Sequence, residues 1–191
     1  VYEVPIWIFY SSPEPLGGLS QLRGKRIAVG REGSGIRDIA DRILGKANIN
    51  SETATLLPLV GDAAVNALNN GKVDAVIITS IPRAPAIEAL LSNPHFRLMD
   101  FSTAEAFTRI FPEFVRLVWP KGIVEIDPPN PPNDVTLLGV ALKVIIRDNV
   151  HPAIVQLLAR TVQEEHGGPG LFERAGEFPK IIDQEFPMSQ I

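Results

Sequence analysis

Residues 25–45, KRIAVGREGSGIRDIADRILG, constrain the fold of this chain more than any other stretch. A short apolar strand, Arg26–Val29, runs into a glycine-rich turn, and the turn opens an amphipathic helix. Ile36, Ile39, Ala40, Ile43 and Leu44 recur at the spacing of one apolar face of a 3.6-residue period. Gly45 and Lys46 stand where such a helix stops, because glycine accepts a left-handed cap and a cation suits the negative end of the dipole. Glycine in the turn permits φ > 0 and close approach of a ligand. The first N–H groups of the helix have no partner inside it. A turn of this kind is suited to hold a carboxylate or phosphate oxygen. It also serves many proteins as a plain tight connection, and both readings stay open at this point.

The turn belongs to neither of two common nucleotide loops. Its glycines at 30, 33 and 35 read G-x-x-G-x-G, the wrong order for a dinucleotide fingerprint, and no Gly-Lys-Ser/Thr follows as a phosphate-cradling loop requires. A net charge of −4 without any basic run argues against a phosphate-backbone partner, so no nucleic acid is expected. The chain has no cysteine, which excludes disulfides, thiolate zinc and a cysteine nucleophile. His95, His151 and His166 form no local ligand motif, so neither a metal nor another cofactor is expected. No apolar run reaches the length of a membrane span, and no signal peptide is visible. The chain opens directly in a strand at Val1–Tyr10 and reads as cut from a longer one.

Along the chain, strands are predicted at Arg26–Val29, Ala54–Leu59, Val73–Thr79, Phe96–Asp100 and Phe114–Trp119. Helices are predicted after the glycine turn, over Ala63–Asn70 with Asp62 as cap and Gly71 as stop, over Pro85–Leu91, and from a capping box at Ser102–Glu105 up to Pro112. This alternation implies a parallel-dominated sheet with helices on both faces. Ligands bind such sheets beyond the carboxyl ends of the strands, which singles out the turns after Val29 and Thr79. Residues 120–133, rich in proline, read as a stiff extended connector. A long strand at Asp134–Arg147 follows and could pair with Tyr2–Tyr10. Asn149 or His151 caps a last helix that ends at Gly167-Gly168, and Pro169–Ile191 shows little periodicity.

The segments LRGKRIAVGREGSGIRD, LLPLVGDAAVNALNNGKVDAVIITSIPRAPAIEALL, DVTLLGVALKVIIRDNVHP and HGGPGLFERAGEFP together resemble the TAXI family of TRAP-transporter solute receptors. The resemblance covers nearly all of the chain, and the His166–Gly168 and Gly176–Pro179 motifs are its most specific part. It implies an α/β, type II periplasmic-binding-protein-like fold. Residues 21–125 would form one complete lobe, with 1–20 and 126–191 as crossover strands and the closing part of a second lobe. It also implies an extracytoplasmic or periplasmic location, and a membrane anchor outside these residues in the branch it resembles. On the residues that match, Gly33, Ser34, Gly35, Ile36 and Arg37 would contact the ligand, with the Ser34 hydroxyl and nearby amides foremost. The family has Thr where Ile36 stands, which removes a hydroxyl. Arg37 would either clasp a ligand carboxylate or pair with Asp38 or Asp41. Ser80, Ile81 and Pro82 either line the cleft or start a helix, and Tyr10 would wall the cleft.

The function so implied is capture of a small organic anion, such as a carboxylate, for the membrane subunits of a transporter. A sensory ligand-binding module of a membrane-anchored protein would have the same fold. An enzyme on this fold is the third reading, but the chain carries no G-x-S-x-G elbow, metal triad or local His–acid pair, and no catalytic residue is assigned.

Overall fold

A computed structural model of the chain describes residues 2–172. The first strand, β1 (Tyr2–Tyr10), is followed by β2 (Arg26–Ala28), helix α1 (Gly35–Gly45), β3 (Thr55–Leu57), α2 (Gly61–Asn69) and β4 (Ala75–Thr79). Then come α3 (Pro85–Ser92), β5 (Arg97–Leu98), α4 (Ala104–Ile110), β6 (Phe114–Trp119), β7 (Val135–Leu142) and α5 (Pro152–His166). All seven strands share one sheet in the order β3-β2-β4-β1-β7-β6, with β5 paired to β1. Parallel pairing is confined to β3-β2-β4, where α1 and α2 provide the crossovers. The strands from the two ends of the chain, β1 and β7, run antiparallel through the middle of the same sheet. The sheet is therefore mixed, and it is not parallel-dominated across its width.

Alternation along β1 builds both cores, because successive side chains of a strand point to opposite faces. Ile6, Ile8 and Tyr10 join Ile27, the α1 face at Ala40, Ile43 and Leu44, and Phe107 of α4. Trp7 and Phe9 join Val76, Ala64 and Leu68 of α2, and Ile87 and Leu90 of α3. Pro5 is tolerated in this central strand, and Ile6 through Tyr10 are almost fully buried. Burial on both faces explains why β1 carries a continuous apolar run.

Several local expectations change. The helix α1 runs through Gly45, and the left-handed residue lies later, at Asn48 (φ 53°). The capping box is not formed: Thr103 takes the N-cap of α4 without a side-chain bond, and Glu105 pairs instead with Arg109 at 2.9 Å. Val60 takes the N-cap of α2, and Asp62 lies in its first turn, where an acid still suits the dipole. Residues 120–133 do not form an extended connector. Gly122, Val124, Glu125 and Asn130 supply the N–H groups that the prolines lack, and the loop folds back through Asn130 N–H to Glu125 carbonyl (2.8 Å) and Gly122 N–H to Pro131 carbonyl (2.9 Å). His151 caps α5, its Nδ1 accepting from Ala153 N–H at 3.2 Å. The Gly176–Pro179 motif lies outside the described residues.

Candidate functional site

Ala28 of β2 lies beside Val76 of β4 in a parallel register, so the chain leaves both strands at the same sheet edge. The two turns singled out by sequence, after Val29 and after Thr79, emerge there together. Gly30 begins the first turn at φ 87°, and a Cβ on it would lie 2.6 Å from Ile36 Cγ2. No side chain other than hydrogen fits this position. Gly33 also takes a left-handed φ of 74° and turns the chain into α1.

Ser34 is the N-cap of α1. Its hydroxyl donates to the Arg31 carbonyl (2.6 Å) and accepts from Arg37 N–H (3.4 Å). The Ser34 carbonyl accepts from Arg37 N–H at 3.0 Å and from Asp38 N–H at 3.2 Å. The amides of Gly35 and Ile36 donate to no described residue. A Cβ on Gly33 or on Gly35 would meet nothing within 4 Å, so open space borders the turn on both sides of Ser34. Two free first-turn amides at the positive end of an eleven-residue helix make a small anion-accepting corner.

The side chains of the turn are already engaged. Ser34 Oγ serves the cap. Ile36 packs its side chain against the core and beneath Gly30, so it offers the corner only its N–H. Arg37 donates through Nε to both carboxylate oxygens of Asp41 at 2.9 and 2.8 Å, which is the ion-pair alternative named from sequence. This pair also compensates a cation at the wrong end of the helix dipole. At the second turn, the Ser80 carbonyl accepts the Trp7 indole N–H at 2.8 Å, Ile81 is half exposed and Pro82 half buried.

Tyr10 does not belong to this corner. It pairs with Ala75 at the start of β4, whereas Thr79 at its end pairs with Ile6. Four residues of strand place Tyr10 about 13 Å toward the opposite edge. Its ring is buried and its hydroxyl accepts from Leu16 N–H at 3.0 Å. Tyr10 was expected to wall the cleft; the antiparallel register and its burial keep it from walling the space beside the glycine turn.

Two functional candidates went unnamed in the sequence. Arg31 and Arg83 are exposed, one in each turn, and neither forms an ion pair with a described residue. Their signal was adjacency: each stands within a few residues of a chosen contact. Titration is perturbed elsewhere, at the far ends of β2 and β4. Hydrogen bonds from the Arg26 guanidinium, reinforced by Arg26 N–H, hold the Asp74 carboxyl below its usual range. That pair fastens two parallel strands at the end remote from the glycine turn. Among the described residues no group of three or more His, Cys, Asp or Glu side chains is disposed as a metal site. No helix among them is long and apolar enough to cross a membrane.

The profile of the NMT1-like family matches residues 1–169. Among solved structures, the periplasmic aliphatic sulphonate-binding protein SsuA from Escherichia coli aligns with a TM-score of 0.52 and 18% identity, covering 85% of this chain and 44% of that one. The alkanesulfonate-binding protein SsuA from Xanthomonas axonopodis pv. citri bound to MOPS is 31% identical over 50% of this chain and 33% of its own, with a TM-score of 0.41. The substrate-binding protein of an amino acid ABC transporter is 15% identical over 87% of this chain and 56% of its own, with a TM-score of 0.43. The Escherichia coli likeness shows a periplasmic-binding-protein fold, and this chain spans less than half of either SsuA. No curated protein matches the sequence.

Proposed function

We propose that this chain, which belongs to the NMT1-like family, acts as an extracytoplasmic solute receptor that captures a small organic anion, a carboxylate, for a TRAP-type transporter of the TAXI kind. Residues 21–125 carry the ligand-binding lobe in this reading. Residues 1–20 and 126–191 supply the crossovers and part of a second lobe that closes over the ligand by a hinge. Tyr2 and Leu142 pair at the end of the sheet nearest the glycine turn, which is where such a hinge would have to lie. Binding without turnover is the whole of the activity.

The observation that carries this reading is the pair of amides, Gly35 and Ile36, that donate to no described residue at the start of α1, with exposed Arg31 in the same turn and exposed Arg83 just after the second turn, neither ion-paired to a described residue. An anion there would receive two backbone hydrogen bonds, the helix dipole and the charges of Arg31 and Arg83. Arg37 would join only by exchanging Asp41 for the ligand. The same donors suit a sulfonate, the ligand class named for the SsuA proteins, so an assay should offer both anion types.

The sharpest test is Gly35→Pro. Proline is favoured in the first helical turn, and Ser34 before it is already extended (φ −90°, ψ 149°), as a residue preceding proline must be. The substitution deletes one candidate donor and leaves the helix intact. Calorimetry of the full-length protein with carboxylates and sulfonates should show a binder whose affinity falls about 10- to 100-fold in the variant, the worth of one charge-assisted hydrogen bond. Unchanged affinity, or no heat with any anion, would defeat the reading.

A further inference from the structure

Asn70 and Gly71 form the one Asn-Gly pair of the sequence, and they stand exposed where α2 ends. Such a pair is chemically unstable in an unfolded chain, because glycine has no side chain to hinder its own nitrogen from attacking the asparagine amide. The fold withholds each group that this reaction needs. Gly71 N–H, the nucleophile, donates to the Leu68 carbonyl at 3.1 Å. Asn70 Nδ2, the leaving group, donates to the Asn66 carbonyl at 2.8 Å. Asn70 has φ −90° and ψ 7°, so the Gly71 nitrogen eclipses the nitrogen of Asn70 itself. Ring closure needs it to eclipse Cβ instead, which the tetrahedral Cα holds a third of a turn away. The turn is also anchored on its far side. Gly71 takes φ 63°, and Lys72 and Val73 N–H both donate to the Ala67 carbonyl, at 2.8 and 3.3 Å. Val73 is fully buried and lies in the same core as Ala67 and Leu68.

We propose that Asn70–Gly71 is a latent modification site, which the native turn protects and which converts when the C-terminal end of α2 opens. In the opened turn the Gly71 nitrogen loses its proton and bonds to Asn70 Cγ. The Cγ–Nδ2 bond breaks, and ammonia leaves with that proton. Water then adds to either carbonyl of the five-membered imide, which leaves an aspartate or an isoaspartate at position 70. Both products bear on the same turn. Each sets a carboxylate at the negative end of the α2 dipole. The isoaspartate also lengthens the main chain by one methylene just before β4, whose start is held in register by Asp74 N–H to the Arg26 carbonyl (2.8 Å) and by the pairing of Ala75 with Ile27. The turn does not re-form as it was, so each conversion is a lasting record of one opening.

The test incubates the protein and a peptide of residues 66–74 in one neutral buffer. Conversion at Asn70 is read by peptide mass spectrometry, with aspartate and isoaspartate separated by chromatography. The peptide should convert, and the folded protein should convert at least about tenfold more slowly, since its buried anchor makes opening rare. Val73→Ala loosens that anchor and should raise the rate in the protein about tenfold. Ile43→Ala, in the core on the opposite face of the sheet, should change it far less, because the opening is local. Should Val73→Ala fail to fold, urea below the unfolding transition provides the same test, and it should speed conversion in the parent protein before the fold is lost. A folded rate equal to that of the peptide overturns the proposal. So does a peptide that stays intact, a rate indifferent to Val73→Ala and to urea, or acceleration by Ile43→Ala as large as that by Val73→Ala.

Discussion

The two edges of the sheet are built by different means. Within the Gly33–Arg37 corner, the groups free to act are main-chain amides, because Ser34 caps, Ile36 packs and Arg37 is paired with Asp41, and Arg31 and Arg83 beside it offer side chains without a described ion pair. At the opposite end, side chains hold the main chain: the Asp100 and Asp134 carboxylates accept the N–H groups of Thr136 and Lys121 and form no ion pair with a described cation, and the buried Trp119 indole N–H has no acceptor among the described residues. A backbone site needs particular conformations, and these demand glycine at particular positions. A side-chain arrangement needs only that distant residues meet, and it leaves no local pattern. Trp7 and Trp119 make the same contrast within one residue type. Their rings lie edge to face with centroids 5.2 Å apart, yet Trp7 has its acceptor and Trp119 has none among the described residues.

The largest expected effect breaks the backbone edge. Gly30→Ala forces a Cβ to 2.6 Å from Ile36 Cγ2 at φ 87°. It should cost about 3 kcal/mol or more in urea unfolding, whereas Gly33→Ala, left-handed but unobstructed, should cost about 1–2 kcal/mol. Equal losses would mean that the fit of Gly30 over Ile36 is unimportant. A smaller effect sharpens the tryptophan contrast. Trp7→Phe and Trp119→Phe remove similar volume, but only the first strands a carbonyl that had a donor. Trp7→Phe should therefore be the more costly by about 1–2 kcal/mol, measured as a difference in unfolding free energy. No difference, or the reverse order, would show that the Trp7 bond to Ser80 contributes nothing net.

The smallest effect concerns the strap between β2 and β4. The Asp74 carboxyl titrates below its unfolded value, so the stabilisation from its pairing with Arg26 is present above the unfolded pKa and lost as pH falls through the folded one. Asp74→Asn should be slightly destabilising at neutral pH, and its gap from the parent protein should close below about pH 4. The effect is modest because Arg26 is largely exposed to solvent. A gap that persists in acid would place the role of Asp74 in its neutral hydrogen bonds alone.

Sequence reading served the first edge better than the second, for a physical reason. Strand β2, the turn and α1 follow from local periodicity and glycine placement, and β6 lies at the residues read for it, Phe114–Trp119. The direction of β1 relative to β4 is a long-range property that local pattern does not encode, so the position of Tyr10 far from the glycine turn is not legible in the sequence. Capping failed at Ser102 for a related cause: Glu105 had a competing partner one turn on, at Arg109. The concavity at the second edge draws on β1, α3, β5, β6 and the 130–135 loop, and no window of sequence contains it. Arg31 and Arg83 were visible as cations, yet nothing local distinguishes a free guanidinium from one that, like Arg37, meets an acid four residues away.

The position of β1 at the heart of the sheet has a consequence for how the molecule is made. Its apolar residues are made before both partners: one flank must wait for β4 and the other for β7, since Ile6 joins Thr79 on one side and Leu138 on the other. Until then, a nearly unbroken oily segment lacks both of the strands that flank it in this sheet. Closure over such separations is slow, and a nascent chain in that interval is a natural client for a holding chaperone.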